Sequence, residues 1–166
     1  MEKVFILLAL LSIGLVALSG CTYEGTGTLV LQLTDAQSDL NISKANVTIS
    51  SIEVHLIGSG WYPVVENPQT FDLIEVKNVK EFLGSVNLSA GHYSQIRLYI
   101  ETALVTIDGI EHNLKVPSDK INLISPFQIK ANETTTLTLD FDAQESIHAA
   151  GKDKYIIRPT IKIIQE

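Results

Sequence analysis

The dominant period in this chain is two residues, not the 3.6 of a helix. Residues 28–35, TLVLQLTD, place Leu29, Leu31 and Leu33 on one face. Residues 135–143, TTLTLDFDA, set Leu137, Leu139 and Phe141 against Thr136, Thr138, Asp140 and Asp142. Residues 94–101, SQIRLYIE, set Ile96, Leu98 and Ile100 against Gln95, Arg97 and Tyr99. Successive side chains of a strand point to opposite faces, so this alternation marks strands buried on one side. VTISSIEVHLI (47–57) begins with Val47 and Ile49 on odd positions and continues with Ile52, Val54 and Leu56 on even ones. A one-residue slip exchanges the faces of a strand, so the change of phase predicts a β-bulge at Ser50-Ser51.

Further strands are predicted over 61–65, 71–76, 103–107, 110–116, 121–129 and 155–163. Asp108-Gly109 predicts a tight hairpin turn. Pro63, Pro126 and Pro159 lack a ladder donor and mark edges or bends. Residues 78–84 read as one or two helical turns ending at Gly84, and 143–150 as another. The eleven residues 35–45 read as a long connection. Nine or ten short strands with turns between them predict an all-β, antiparallel β-sandwich with one or two short helical turns, rather than an α/β sheet.

A different pattern precedes this region. Residues 4–17 carry no charge and run into Leu18-Ser19-Gly20-Cys21. A spanning helix needs about 20 apolar residues, and this run falls short. It is apolar on every face, which does not suit a helix of a folded domain. An apolar run of about 7 to 15 residues followed by small ones is the pattern of a cleaved secretory signal. Leu18-Ser19-Gly20-Cys21 resembles the lipobox of prokaryotic lipoproteins. That resemblance implies a thioether-linked lipid on Cys21 and cleavage just before it. One acyl chain holds a membrane only marginally, whereas two chains anchor stably. Cys21 is the only cysteine, and an exposed free thiol fits poorly in an exported protein. The expected organisation is a signal peptide over 1–20, a short tether over 21–26 and one β-sandwich domain over 27–165.

That domain is large enough to bury a core without disulfides. The formal net charge is −7, and no basic cluster offsets it. Binding to a nucleic-acid phosphate backbone is therefore not expected.

GTGTLVLQLTDA, VTISSIEVH, FDLIEV, LSAGHYSQIRLYI, LKVPSDKINLISPFQI, TTTLTLDFDAQESIH and KYIIRPTIKI resemble, in the same order, the domain-of-unknown-function 4382 family. The blocks span about 25–163. The resemblance implies a secreted or lipid-anchored prokaryotic protein with a transthyretin-like or immunoglobulin-like sandwich. It implies no activity and transfers no catalytic residue.

Signatures of chemistry are sparse. The sequence contains no G-x-S-x-G, H-E-x-x-H, paired-cysteine zinc pattern or phosphate-cradling glycine loop. Gly58-Ser59-Gly60 joins two predicted strands and reads as a hairpin loop. His55, His92, His112 and His148 have no histidine at chelating spacing and read as surface residues. Asp140-x-Asp142-x-x-Glu145-x-x-His148 offers oxygen ligands of a kind that suits calcium or magnesium. The same acids also fit an exposed strand face with no ion, where Arg97 and Arg158 are candidates to pair with them. Trp61 and Tyr62 fit either an aromatic platform for a ligand or the closure of the core. Asn41, Asn46, Asn87 and Asn132 each begin an N-x-S/T triplet, an acceptor pattern of exported surfaces.

The expectation is a protein lipid-anchored to the outer face of a cell membrane, or to a periplasmic or outer-membrane face, with a binding or structural role and neither catalysis nor cofactor. Its partners are the membrane, through lipid on Cys21, and a cell-surface protein or glycan. Two alternatives stand beside it: a metal-dependent module or enzyme using Asp140, Asp142 and His148, and a carbohydrate-binding module using Trp61 and Tyr62.

Overall fold

The computed structural model describes residues 25–35 and 42–166. Cys21, the run ahead of it and Asn41 lie outside the described residues. The chain forms β1 (Thr26–Asp35), β2 (Ile42–Leu56), β3 (Gly60–Val65), β4 (Gln69–Asp72), β5 (Glu81–Ser89), β6 (Gly91–Ile107), β7 (Ile110–Lys115), β8 (Lys120–Ile129) and β9 (Thr134–Phe141). A single helical turn α1 (Ala143–Ser146) follows, then β10 (Ile147–Ala149), β11 (Tyr155–Ile157) and β12 (Ile161–Gln165). Two sheets pack face to face. The small sheet runs β12-β9-β1-β5; the large one runs β10-β11-β7-β6-β2-β3, with β4 also on β2 and β8 also on β6.

The sandwich stands as expected, but its sheets are mixed. β1 pairs with β9 in parallel, and β11 pairs with β7 in parallel. Parallel neighbours need a long crossover, and between β1 and β9 the chain builds most of the large sheet.

The core follows the alternation. Leu29, Leu31, Leu33, Leu137, Leu139 and Phe141 from the small sheet meet Ile52, Val54, Ile96, Leu98 and Ile100 from the large one, all buried. Burial of each such side chain stabilises the fold by roughly 1.5–3 kcal/mol. The bulge falls where the phase change put it. Thr48 pairs with Thr102, Ile49 with Ile100 and Ser51 with Tyr99, so Ser50 and Glu101 each stand unpaired. Each strand inserts one residue, and both keep their aliphatic stripe inward: Val47 and Ile49, then Ile52 and Val54 on β2; Ile96 to Ile100, then Ala103 and Val105 on β6.

Other expectations need correction. The predicted strands over 94–101 and 103–107 are one strand, because the bulge at Glu101 bends β6 without ending it. Residues 78–84 are not helical: β5 begins at Glu81 and passes through Gly84. A Cβ at Gly84 would approach Val65 Cγ2 to 2.9 Å, so glycine is there for close contact between β5 and β3, not for a cap. The helix-like turn comes earlier. Asp72 ends β4, its carboxylate accepts the Ala45 and Ile74 N–H groups at 3.0 Å, and its carbonyl accepts those of Glu75 and Val76. The expected strand over 155–163 breaks at Arg158–Thr160, so β11 joins the large sheet and β12 the small one. Of the turn expected over 143–150, only α1 is helical. The connection after β1 is shorter than expected, since β1 reaches Asp35 and β2 begins at Ile42.

Three turns behave as read. Asp108 (φ 51°) and Gly109 (φ 78°) form the β6–β7 hairpin turn, with the left-handed pair such a turn requires. The 57–59 turn joins β2 to β3 as a plain hairpin. Pro63 and Pro126 lie beside register shifts on β3 and β8.

Beside β3 and β5 the two sheets are in contact. On the opposite side, the edges of β8 and β12 leave an open groove of about 770 Å³ lined by residues 122–125 and 161–164. The chain enters the domain at one end. Gly25 and Thr26 there accept the Ala90 and Asn132 N–H groups, and the Ile57 N–H donates to His92. At the other end lie Asp35, α1 and the turn after β4.

Candidate functional site

The outer face of the large sheet carries the densest polar and aromatic grouping. Cross-strand register builds it in rows. Trp61 on β3 lies beside His55 on β2, then Gln95 on β6 and Ile124 on β8. The next row is Pro63, Glu53, Arg97 and Asn122; the next after that is Ser51, Tyr99 and Lys120. Trp61 reaches across β2, so that the Arg97 guanidinium carbon sits 3.6 Å from its ring centroid. The His55 ring tilts against it at 5.0 Å, and His55 Nδ1 is 3.0 Å from Ser94 Oγ.

Arg97 is held from three sides. Its Nε donates to Asn122 Oδ1 at 3.2 Å and its Nη1 to Glu53 Oε2 at 3.4 Å. Tyr99 Oη donates to the same Glu53 oxygen at 3.2 Å. The Arg97 and Glu53 side chains are only 20% and 29% exposed, so the pair is partly shielded from water. Arg97 therefore pairs with Glu53, not with the acids on β9. A cation on an indole face gains about 0.5–1 kcal/mol when exposed and more when desolvated. The result is a flat, braced surface offering a ring, a guanidinium, an amide and a carboxylate.

The two aromatic candidates separate. Trp61 and Tyr62 are consecutive on one strand and face opposite ways. Trp61 lies outward beside His55, whereas Tyr62 lies beside Val54 and packs against the core. They do not form one platform: Trp61 alone serves the surface, and Tyr62 helps to close the core.

The acidic grouping is not assembled as a metal site. Asp140 lies on the small sheet between Thr34 and Lys162. Asp142 caps α1 by accepting the Glu145 N–H at 2.9 Å. His148 is exposed on β10 of the large sheet. Among the described residues, no three His, Cys, Asp or Glu side chains are grouped to hold a metal ion. Arg158 lies between β11 and β12, where its N–H donates to the Ser146 carbonyl. His112 packs edge-on against Tyr155 at 4.9 Å, and His92 lies exposed near the start of β6.

Of the N-x-S/T asparagines, Asn132 is exposed in the β8–β9 turn with φ 60°. Asn87 is exposed on β5 and accepts from Thr28 Oγ1 at 3.0 Å. Asn46 is half-buried on β2.

Two features escaped the sequence. The Glu53–Arg97–Asn122 row depends on the register of three strands, which no local pattern encodes. Asp35 did carry a signal, since the odd-numbered stripe of Leu29, Leu31 and Leu33 reaches it next. It is only 2% exposed. Its Oδ1 accepts the Ala143 N–H at 2.9 Å, and its Oδ2 has no hydrogen-bond partner among the described residues. Burial, with help from Asp142 and Asp140, pushes its carboxyl up to about 6.

A family model described as "Domain of unknown function (DUF4382)" matches residues 26–159. The chain belongs to that family. The match opens with β1 and ends between β11 and β12, so it takes in both sheets. No curated protein and no solved structure matches the chain.

Proposed function

We propose that this DUF4382 domain is a lipid-anchored module of a prokaryotic cell envelope that binds glycan through the outer face of its large sheet, without catalysis. The carrying observation is Trp61, the only tryptophan, half-buried over Arg97 on an open sheet surface. Sugar rings present apolar faces edged by hydroxyls. An indole backed on one face by a braced guanidinium, with an amide and a carboxylate nearby, supplies both kinds of contact. The anchor rests on Leu18-Ser19-Gly20-Cys21 behind an uncharged run. Gly25 enters at one end of the sandwich, and the rows on the large sheet run along its flank. A tether at that end leaves the flank open to an envelope polymer.

Two measurements test the reading separately. Fatty-acid labelling should appear in the wild type and vanish in Cys21→Ser; labelling that persists removes the anchor. Trp61 emission should change saturably on titration with peptidoglycan fragments or soluble polysaccharides, and Asn122→Ala should weaken that response. A panel that leaves the emission untouched, together with unchanged retention of Trp61→Ala on isolated envelope material, removes the glycan.

A further inference from the structure

At the end of the sandwich away from the chain entry, one buried aspartate ties three segments together through its side chain and its backbone. Asp35 is the last residue of β1. Its Oδ1 receives the Ala143 N–H from the first residue of α1. Its carbonyl accepts the Asn78 N–H at 3.5 Å, and its backbone bridges to Lys77 in the turn after β4. Its other oxygen, Oδ2, is buried without a partner among the described residues. An ionised carboxylate in that position lacks what it needs, whereas a neutral carboxyl can keep the Ala143 hydrogen bond and shed its charge.

We propose that Asp35 is a proton-binding latch: protonated, it holds the end of β1 to α1, and ionised, it loosens that junction. Apart from burial, the groups acting on it are the Ala143 N–H, which favours ionisation, Asp142 and Asp140 from β9 and its extension into α1, which oppose it, and Lys77 from the neighbouring turn, which favours it. Desolvation, with the two acids, outweighs the lysine and the Ala143 N–H and raises the carboxyl to about 6. Because the folded-state value is raised, the stabilisation is full below the ordinary aspartate range near 3.8 and is lost as pH rises through about 6. The latch is independent of whatever the large sheet binds.

Hydrogen exchange on the full chain in detergent tests it at the Ala143 amide. After correction for intrinsic exchange, local opening there should increase about tenfold between pH 5 and pH 8 in the wild type. Asp35→Asn, an uncharged isostere, should show no such increase. Asp140→Asn, which removes one opposing charge, should keep the increase but move its midpoint to lower pH. A flat wild-type profile, or an undiminished pH response in Asp35→Asn, would overturn the latch. If Asp35→Asn does not fold, the carboxyl carbon shift of Asp35 in the wild type decides: a midpoint above pH 5 supports the latch, and one in the ordinary aspartate range sinks it. Calcium that raises the melting temperature of the wild type at pH 8, but not of Asp35→Asn, would replace the proton with a cation and overturn it.

Discussion

In the small sheet, β1 and β9 run side by side from Thr28 to Asp35 with no shift of register. In the large sheet, the 15-residue β2 and the 17-residue β6 shift against each other at several points. Length explains the difference. The 10-residue β1 crosses the core once and needs no correction against β9. A strand half as long again twists away from a smaller partner sheet unless something re-aims it. Bulges supply that bend, and because Ser50 and Glu101 are both inserted at the same level, the pairing on either side stays in step. Alternation can thus be rigid in one pair of strands and adjustable in another.

The strongest way to break this comparison is to delete one residue from each sheet. Without Val30, Leu31 and Leu33 exchange faces with Gln32, and there is no bulge against β9 to absorb the change. Exposing two fully buried leucines and losing the cavity they filled costs on the order of 5 kcal/mol, comparable with the whole stability of a small domain. Chemical denaturation should show a chain largely unfolded; a midpoint near the wild type would mean that β1 can bulge after all.

An intermediate effect belongs to the outer face of the large sheet. Arg97→Met keeps the stem of the side chain but removes the stack on Trp61 and the bond to Glu53. The loss should be about 1 kcal/mol, with a shift in tryptophan emission that reports the bared ring. Unchanged emission would place the guanidinium away from the indole in solution.

The smallest effect should come from deleting Ser50. The ladder would close directly from Ile49–Ile100 to Ser51–Tyr99, leaving Ile52 and Val54 inward. A cost within about 1 kcal/mol is expected, mostly from lost bend. A cost equal to that of removing Val30 would show that the bulge fixes more than the phase of one strand.

Several features were legible because they are local. The leucine stripe of β1, the bulge at Ser50, the Asp108-Gly109 turn and the all-β class all follow from the two-residue period and from backbone preferences within a few residues. β5 was not legible. Its buried Leu83 and Leu88 are separated by Gly84 and a register shift against β1, so no alternation remains to read. A contact with β3, distant in sequence, explains that glycine. The strand expected over 155–163 was split between two sheets for a similar reason, since Pro159 marks the break but not the destination of each half.

The sequence by itself determined which residues point inward along most strands, because a side chain's face depends only on its position along the pleat. It also carried the lone Cys21 and the uncharged run ahead of it. Only the tertiary structure decided which strands are neighbours, that β1 lies parallel to β9, and that Trp61 rests on an arginine from β6. It alone showed that Asp35, next in a stripe of leucines, is buried and bonded to the Ala143 N–H from more than a hundred residues away. Facing is a property of one strand, whereas pairing is a choice among many strands, made by whichever arrangement buries the most apolar surface with its backbone hydrogen bonds satisfied.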